Sequence, residues 1–322
     1  VLTTHFDYHS IEGRMTKLDI LGHDDPTIIR MLEDLTGIDA KTIPFDDPRT
    51  LSLFSSTEGI GLTPEQLQGD QVASLAVPEC GTKFVRGMLE DSRPQTFSDL
   101  VRISGFSHGT NVWLDNAQDL IKNGTCKLNE AISTRDDVMN FLIHRGMDRK
   151  HSFFVMENVR KGKGIEKRNK QGQATTEFEA EMRENNIPEW FIESCKKISY
   201  LFPRAHAVAY VMMAFRIAWF KVYHPLAFYA AYFSIRAKAF DLRIMTGDLK
   251  TQMTEFNRIK ALDRGASPKD KDLMSALEVS MEMYQRGYRF VNVDIQHSEA
   301  RRFSIKDGAL LPPFLAIDSL GE

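Results

Sequence analysis

Residues 200 to 240, YLFPRAHAVAYVMMAFRIAWFKVYHPLAFYAAYFSIRAKAF, constrain this chain more than any other stretch. Apolar residues fill nearly every position around the helical turn, and a helix that is apolar on all sides has to be buried. Pro225 breaks the run into two, because proline removes a backbone donor and clashes with the preceding turn. The chain must therefore fold around a buried helix pair, and its 322 residues are enough to enclose one and to build more than one domain.

The flanking sequence reads as further helices. DDPTIIRMLEDLTG predicts a helix with Asp25 as N-cap, Pro26 in the first turn, an apolar stripe at 28, 29, 32 and 35, and Gly37 as the stop. DDPRTLSLFSS repeats the Asp-Pro start at 47 and 48. In TRDDVMNFLIHRG, Thr134 caps with Asp137 in the capping-box position and Gly146 closes. Pro188 opens another helix. Strands are expected only at LTTHFDYH and MTKLDIL near the start and at YRFVNVDI and RFSIKDGALLP near the end. The strongly polar stretch KGIEKRNKQGQATTEFEAE reads as a linker. The expected fold class is therefore mainly α with short β elements (α+β), with a helical block from about 26 to 285.

Composition narrows the function classes. With 41 Lys and Arg against 44 Asp and Glu, the net charge is −3, so any nucleic-acid surface must be local. Cys80, Cys126 and Cys195 have no CxxC spacing; they read as plain thiols in a reducing cytoplasm, not as a disulfide framework or zinc cluster. No uninterrupted apolar stretch reaches the roughly 18 to 20 residues that cross a bilayer, and no signal-peptide pattern opens the chain. The chain begins at Val1 and stops at SLGE, so a piece of a larger protein is expected.

Four features carry possible chemistry. In TKLDIL the alternation sends Lys17 and Asp19 to one strand face and Leu18 and Ile20 to the other. A carboxylate beside an ammonium suits a divalent cation beside a phosphate, as phosphoryl transfer requires; an edge-strand salt bridge uses the same two residues. The run NVRKGKGIEKRNK sets Arg160, Lys161, Lys163, Lys167, Arg168 and Lys170 against the single acid Glu166. Such a run can hold a triphosphate or a nucleic-acid backbone, or stay a solvated loop. Arg204 and His206 stand at the opening of the buried helix, where donors face an anion readily, although a satisfied core histidine fits the spacing too. ISGFSHGTNVW places Ser104, Gly105, Ser107, His108 and Gly109 before an aromatic, as in a loop that admits a flat ligand or in an ordinary turn between helices.

Taken together, KLDILGHDDPT, GTKFVRGMLE, SGFSHGTNVW, TRDDVM, VRKGKG, FPRAHAVAY and AWFKVYHPLAFYAAYFS resemble, in order and over nearly the whole chain, the C-terminal polymerase region of PolC-type bacterial replicative DNA polymerase III alpha subunits, the C family of DNA polymerases. The resemblance implies the C-terminal part of a β-type nucleotidyltransferase palm in 1–25 and a large helical fingers block in 26–240. Residues 241–322 would be a helical and small β region leading into a truncated helix-hairpin-helix duplex-binding element. It implies template-directed transfer of dNMP from dNTP to a primer 3′-hydroxyl by two-metal phosphoryl transfer, with two Mg²⁺ ions as cofactor. Asp19 then matches the third metal-binding, catalytic aspartate of the palm. Lys17, Ser104, His108, Arg160, Lys161, Lys163, Arg204 and His206 match nucleotide-facing positions. Lys167, Arg168, Lys170, Leu320 and Gly321 are implied as DNA contacts.

Implied partners are primer-template DNA, dNTP and, through parts outside this chain, the sliding clamp and clamp loader, with no membrane. The implied location is the bacterial cytoplasm at the nucleoid. The family's other two metal-binding aspartates have no counterpart in this sequence, so the chain alone is expected not to polymerise, since one carboxylate cannot hold two Mg²⁺ ions. Two other readings use the same residues: a non-catalytic helical nucleic-acid-binding module and a nucleotidyltransferase outside replication.

Overall fold

The computed structural model describes residues 2–16, 18, 22–165, 167–168, 174–175, 177–318 and 320. Among them, helices dominate and the sheets are two short antiparallel pairs, Lys167–Arg168 with Ala174–Thr175 and Ser304–Lys306 with Ala309–Leu311. The expected fold class holds, and Pro225 separates the helices Arg204–Tyr223 and Pro225–Ala231.

Why the long helix is apolar all round is visible in its packing. Phe215, Ala218 and Val222 enter one core with Phe54, Leu89, Phe106, Val138 and Phe191. Ile217 and Phe220 enter a second with Leu32, Phe228, Leu277 and Phe290. Two cores share one helix, so opposite faces must both be apolar. Arg204–Tyr223 is long and apolar enough, by length and composition, to cross a membrane, contrary to the expectation that no apolar stretch reaches that length. Half of it lies inside the fold, so it serves as a core helix.

Local signals place the helices read individually from the sequence. Asp47 caps Pro48–Ser52, its carboxylate accepting from the Thr50 N–H at 2.8 Å, and Thr134 and Asp137 form the expected capping box on Arg135–His144. The helix Asp25–Thr36 ends at Gly37 with φ 71°, but its N-cap is Asp24 and Asp25 is already helical, one residue from the expected register.

Three strand expectations are corrected. LTTHFDYH is not extended throughout: Asp7 accepts from the His9 and Ser10 N–H groups and starts a one-turn helix, Tyr8–Ile11, because a capping carboxylate satisfies donors that a strand would leave open. YRFVNVDI forms only a bridge, Phe290 with Leu310, and RFSIKDGALLP, read as a strand, folds into a hairpin of Ser304–Lys306 with Ala309–Leu311. The stretch read as a linker contains the other strand pair and the first part of the helix Glu177–Glu184.

Candidate functional site

Lys17, Asp19, Lys170 and Gly321 lie outside the described residues. Lys167 and Arg168 pair through their backbones with Thr175 and Ala174, and Leu320 is exposed. The remaining candidates divide into those the fold brings together and those it turns elsewhere.

His206 stands at the centre of a cluster of rings. Its ring centroid lies 4.5 Å from Phe202, 4.1 Å from Tyr210 and 5.9 Å from His108. His108 is also 5.2 Å from Phe202, and Tyr200 is 5.7 Å from Phe202. His206 and Tyr210 are four apart on the helix that starts at Arg204, so they stack on one face, and Phe202, just before the helix, packs on His206. At the far end the Tyr210 hydroxyl and His23 Nε2 are 2.7 Å apart.

His108 reaches the cluster from another element. The segment expected as a loop is the last turn of the helix Phe97–His108, because Thr96 and Asp99 form a capping box that sets the helix start. In that turn His108 Nδ1 lies 2.7 Å from the Ser104 carbonyl oxygen, and Nε2 lies 2.9 Å from a Glu79 carboxylate oxygen. Both ring nitrogens thus face acceptors, and the hydrogen bond to Glu79 holds the imidazole above its ordinary pKa against the opposing effect of burial. Glu79 is held low, first by the same bond. His206 goes the other way: burial, then the charge on His108, lowers it. The cluster presents, among flat rings, one imidazole pushed toward its charged form and one pushed toward its neutral form. Ser104 itself is buried and contributes its carbonyl, not its hydroxyl.

Glu79 had no sequence signal, since it comes from a loop between helices. It sits at φ 63°, in the left-handed region, and the loop is tight: a Cβ on Gly81 would meet the Ala76 nitrogen and the Val77 oxygen at 2.9 Å. The loop hangs from the ring-bearing helix itself. Lys221, fully buried, donates to the carbonyls of Ala73 (2.8 Å) and Leu75 (2.7 Å) and to the Glu282 carboxylate (2.9 Å). Burial pushes the Lys221 ammonium down to about 8 against the pull of Glu282. The Tyr229 hydroxyl donates to Glu282 at 2.7 Å, and Arg286 donates to Tyr229 and to the Lys221 carbonyl. Tyr210 was also missed, although its spacing from His206 could have found it.

Three cations point away from the rings. The Arg204 N–H donates to Asp136 at 2.8 Å and its guanidinium to the Asp137 carboxylate. Burial would raise Asp137, but Arg102, the Ser133 hydroxyl and Arg204 together hold it low. Arg204 therefore ties two helices together, and its helix start finds a protein carboxylate. Arg160 donates to both Glu157 oxygens at 2.8 Å, Lys161 lies 3.1 Å from the same carboxylate, and Lys163 is exposed.

No group of three or more His, Cys, Asp or Glu side chains among the described residues can hold a metal ion. The described residues therefore do not by themselves fit a Mg²⁺ pair. Cys80, Cys126 and Cys195 are buried and unpaired, as expected of plain thiols.

The family described as the bacterial DNA polymerase III alpha subunit finger domain matches residues 25–186. A DNA polymerase III PolC-type of Caldanaerobacter subterraneus subsp. tengcongensis is 56% identical over 321 residues, which cover 100% of this chain and 22% of that protein. Those of Bacillus subtilis and Clostridium perfringens are 53% and 51% identical, covering 99% and 100% of this chain and 22% of each relative. The chain thus spans about a fifth of the length of the curated relatives it matches.

Proposed function

The chain belongs to the bacterial DNA polymerase III alpha subunit finger-domain family, and from that premise we propose that it is the nucleotide-gripping part of a replicative DNA-directed DNA polymerase. The observation that carries the reading is the ring cluster at the start of the helix Arg204–Tyr223, where His206 lies among Phe202, Tyr210 and His108, and Glu79 holds His108. A deoxynucleoside triphosphate offers a flat base to such rings.

The fingers extend from 26 to 240, past the matched 25–186, because the Arg204–Tyr223 helix packs in the same core as the matched helices. Residues 1–25 close the palm, and 241–322 lead to duplex DNA, with Lys167, Arg168, Lys170, Leu320 and Gly321 as DNA contacts. Primer-template DNA and dNTP are the substrates, and the clamp and clamp loader are reached through other parts of the polymerase in the bacterial cytoplasm, at the nucleoid.

The reaction is attack of the primer 3′-hydroxyl on the α-phosphorus with release of pyrophosphate. Mg²⁺ supplies charge neutralisation there when bound, held by Asp19 with carboxylates other than those described. Lys17, Lys163, Arg160 and Lys161 neutralise the phosphates, the last two by exchanging Glu157 for the triphosphate. His206 and Tyr210 flank the base, and Glu79 and Ser104 orient His108. Arg204 acts by positioning, through Asp136 and Asp137.

Primer extension by the full-length polymerase tests this reading, wild type against Asp19→Asn with Mg²⁺ and all four dNTPs. Loss of extension at unchanged primer-template affinity is expected; normal extension by the variant would remove Asp19 from the chemistry.

A further inference from the structure

The nucleotide reading leaves one face of the helix Arg149–Arg160 unexplained. Ser152, Val155, Met156 and Val159 bury the inner face. On the outer face Phe153 and Phe154 are 47% and 44% exposed, their ring centroids 6.1 Å apart. Exposed cations bracket them: Arg149 and Lys150 in the turn before, Lys161 and Lys163 just past the helix end. Glu157 is the acid in this stripe, and Arg160 and Lys161 neutralise it; the Arg160 hydrogen bonds hold its carboxyl down to about 2.

A partner that covers this face must be anionic and must also offer flat apolar surface. An apolar protein helix would bury the rings but strand the cations, whereas single-stranded nucleic acid supplies phosphates to the cations and base faces to the rings. The stripe also runs into the ring cluster. The Leu201 N–H donates to the Arg160 carbonyl at 3.3 Å, and a Cβ on Gly162 would lie 2.5 Å from the Ser199 oxygen. Between them, Tyr200 is 40% exposed and its ring contacts Phe202, which in turn contacts His206.

We propose that Phe153 and Phe154, with Arg149 and Lys150, bind single-stranded nucleic acid by stacking bases on the ring pair, and that its source is the unpaired template strand approaching the nucleotide site. The template assignment rests on the polymerase reading; the single-strand affinity of the stripe does not.

The test is equilibrium binding of the full-length polymerase to two primer-templates, one with a long single-stranded 5′ template overhang and one with a single-nucleotide overhang, for wild type and F153A/F154A. The variant is expected to lose about tenfold to a hundredfold affinity for the long overhang and none for the short one, with dNTP incorporation on the short overhang intact. F153W/F154W should restore the affinity, since stacking needs only an aromatic face. Arg149→Ala with Lys150→Ala should flatten the salt dependence by about 0.7 in slope per lost phosphate contact.

Equal loss on both substrates, no loss on either, or a lowered Tm of the whole polymerase without overhang dependence would overturn the proposal, the last by showing that the rings pack on another part of the protein. If the polymerase reading fails, Asp19→Asn extends primers as wild type does while overhang binding still depends on Phe153 and Phe154. If only this inference fails, extension remains normal and overhang binding ignores the ring pair.

Discussion

His108 and Glu79 stabilise each other over a window whose edges have opposite signs. The raised His108 contributes fully below the ordinary imidazole value of about 6.5, and its contribution is lost as pH rises through its folded value. The depressed Glu79 contributes fully above the ordinary carboxylate value of about 4.3, and its contribution is lost as pH falls through its folded value. A histidine titration by NMR should therefore find His108 above, and His206 below, the free imidazole. Glu79→Gln should bring His108 down; a His108 that titrates identically in that variant would contradict the pairing. At this scale the sequence announced the two histidines but not their partners. Glu79 lies 29 residues before His108 in a loop, so only the folded chain brings them together. Arg204 read as a ligand donor because its helix start is visible in the sequence, whereas the two aspartates that claim it sit 67 and 68 residues away.

Elements with strong local signals were the legible ones. Asp-Pro starts, the Thr134 capping box and the Pro225 break depend on residues within a turn of one another, so spacing suffices to read them. The pairing of Lys167–Arg168 with Ala174–Thr175 and the bridge at Phe290 depend on partners that alternation alone does not reveal. The loop 73–82 is the extreme case, since its shape is set from outside by Lys221. Lys221→Met leaves Glu282 buried with one partner fewer and orphans two carbonyls, so a stability loss of about 3 to 5 kcal/mol is expected in denaturant unfolding. The same variant should lower the His108 pKa, because the loop that presents Glu79 loses its anchor; a destabilised variant with unchanged His108 would separate the two. Gly162→Ala tests the junction between the Arg149–Arg160 helix and segment 199–201. Its φ of +67° and its approach to the Ser199 oxygen leave a methyl no room, so a loss of about 1 to 3 kcal/mol is expected. A neutral result would mean that the two segments can move apart.

Across the whole molecule, the long helix that first constrained the sequence proves to be the common wall of two cores and the carrier of the ring cluster. Because neither core is complete without it, the two should unfold together. Trp113 reports on one core and Trp219 on the other. In urea, single-tryptophan versions of this chain should give coincident transitions, and separate midpoints would show two independent units. The same architecture makes His206 the residue on which the functional account depends most. The direct measurement is single-nucleotide incorporation by the full-length polymerase with His206→Ala. The expected result is a KM for dNTP raised about tenfold or more, the effect of losing roughly 1.4 kcal/mol of contact, with primer-template affinity unchanged. Unaltered KM and kcat would contradict the placement of the nucleotide at the rings.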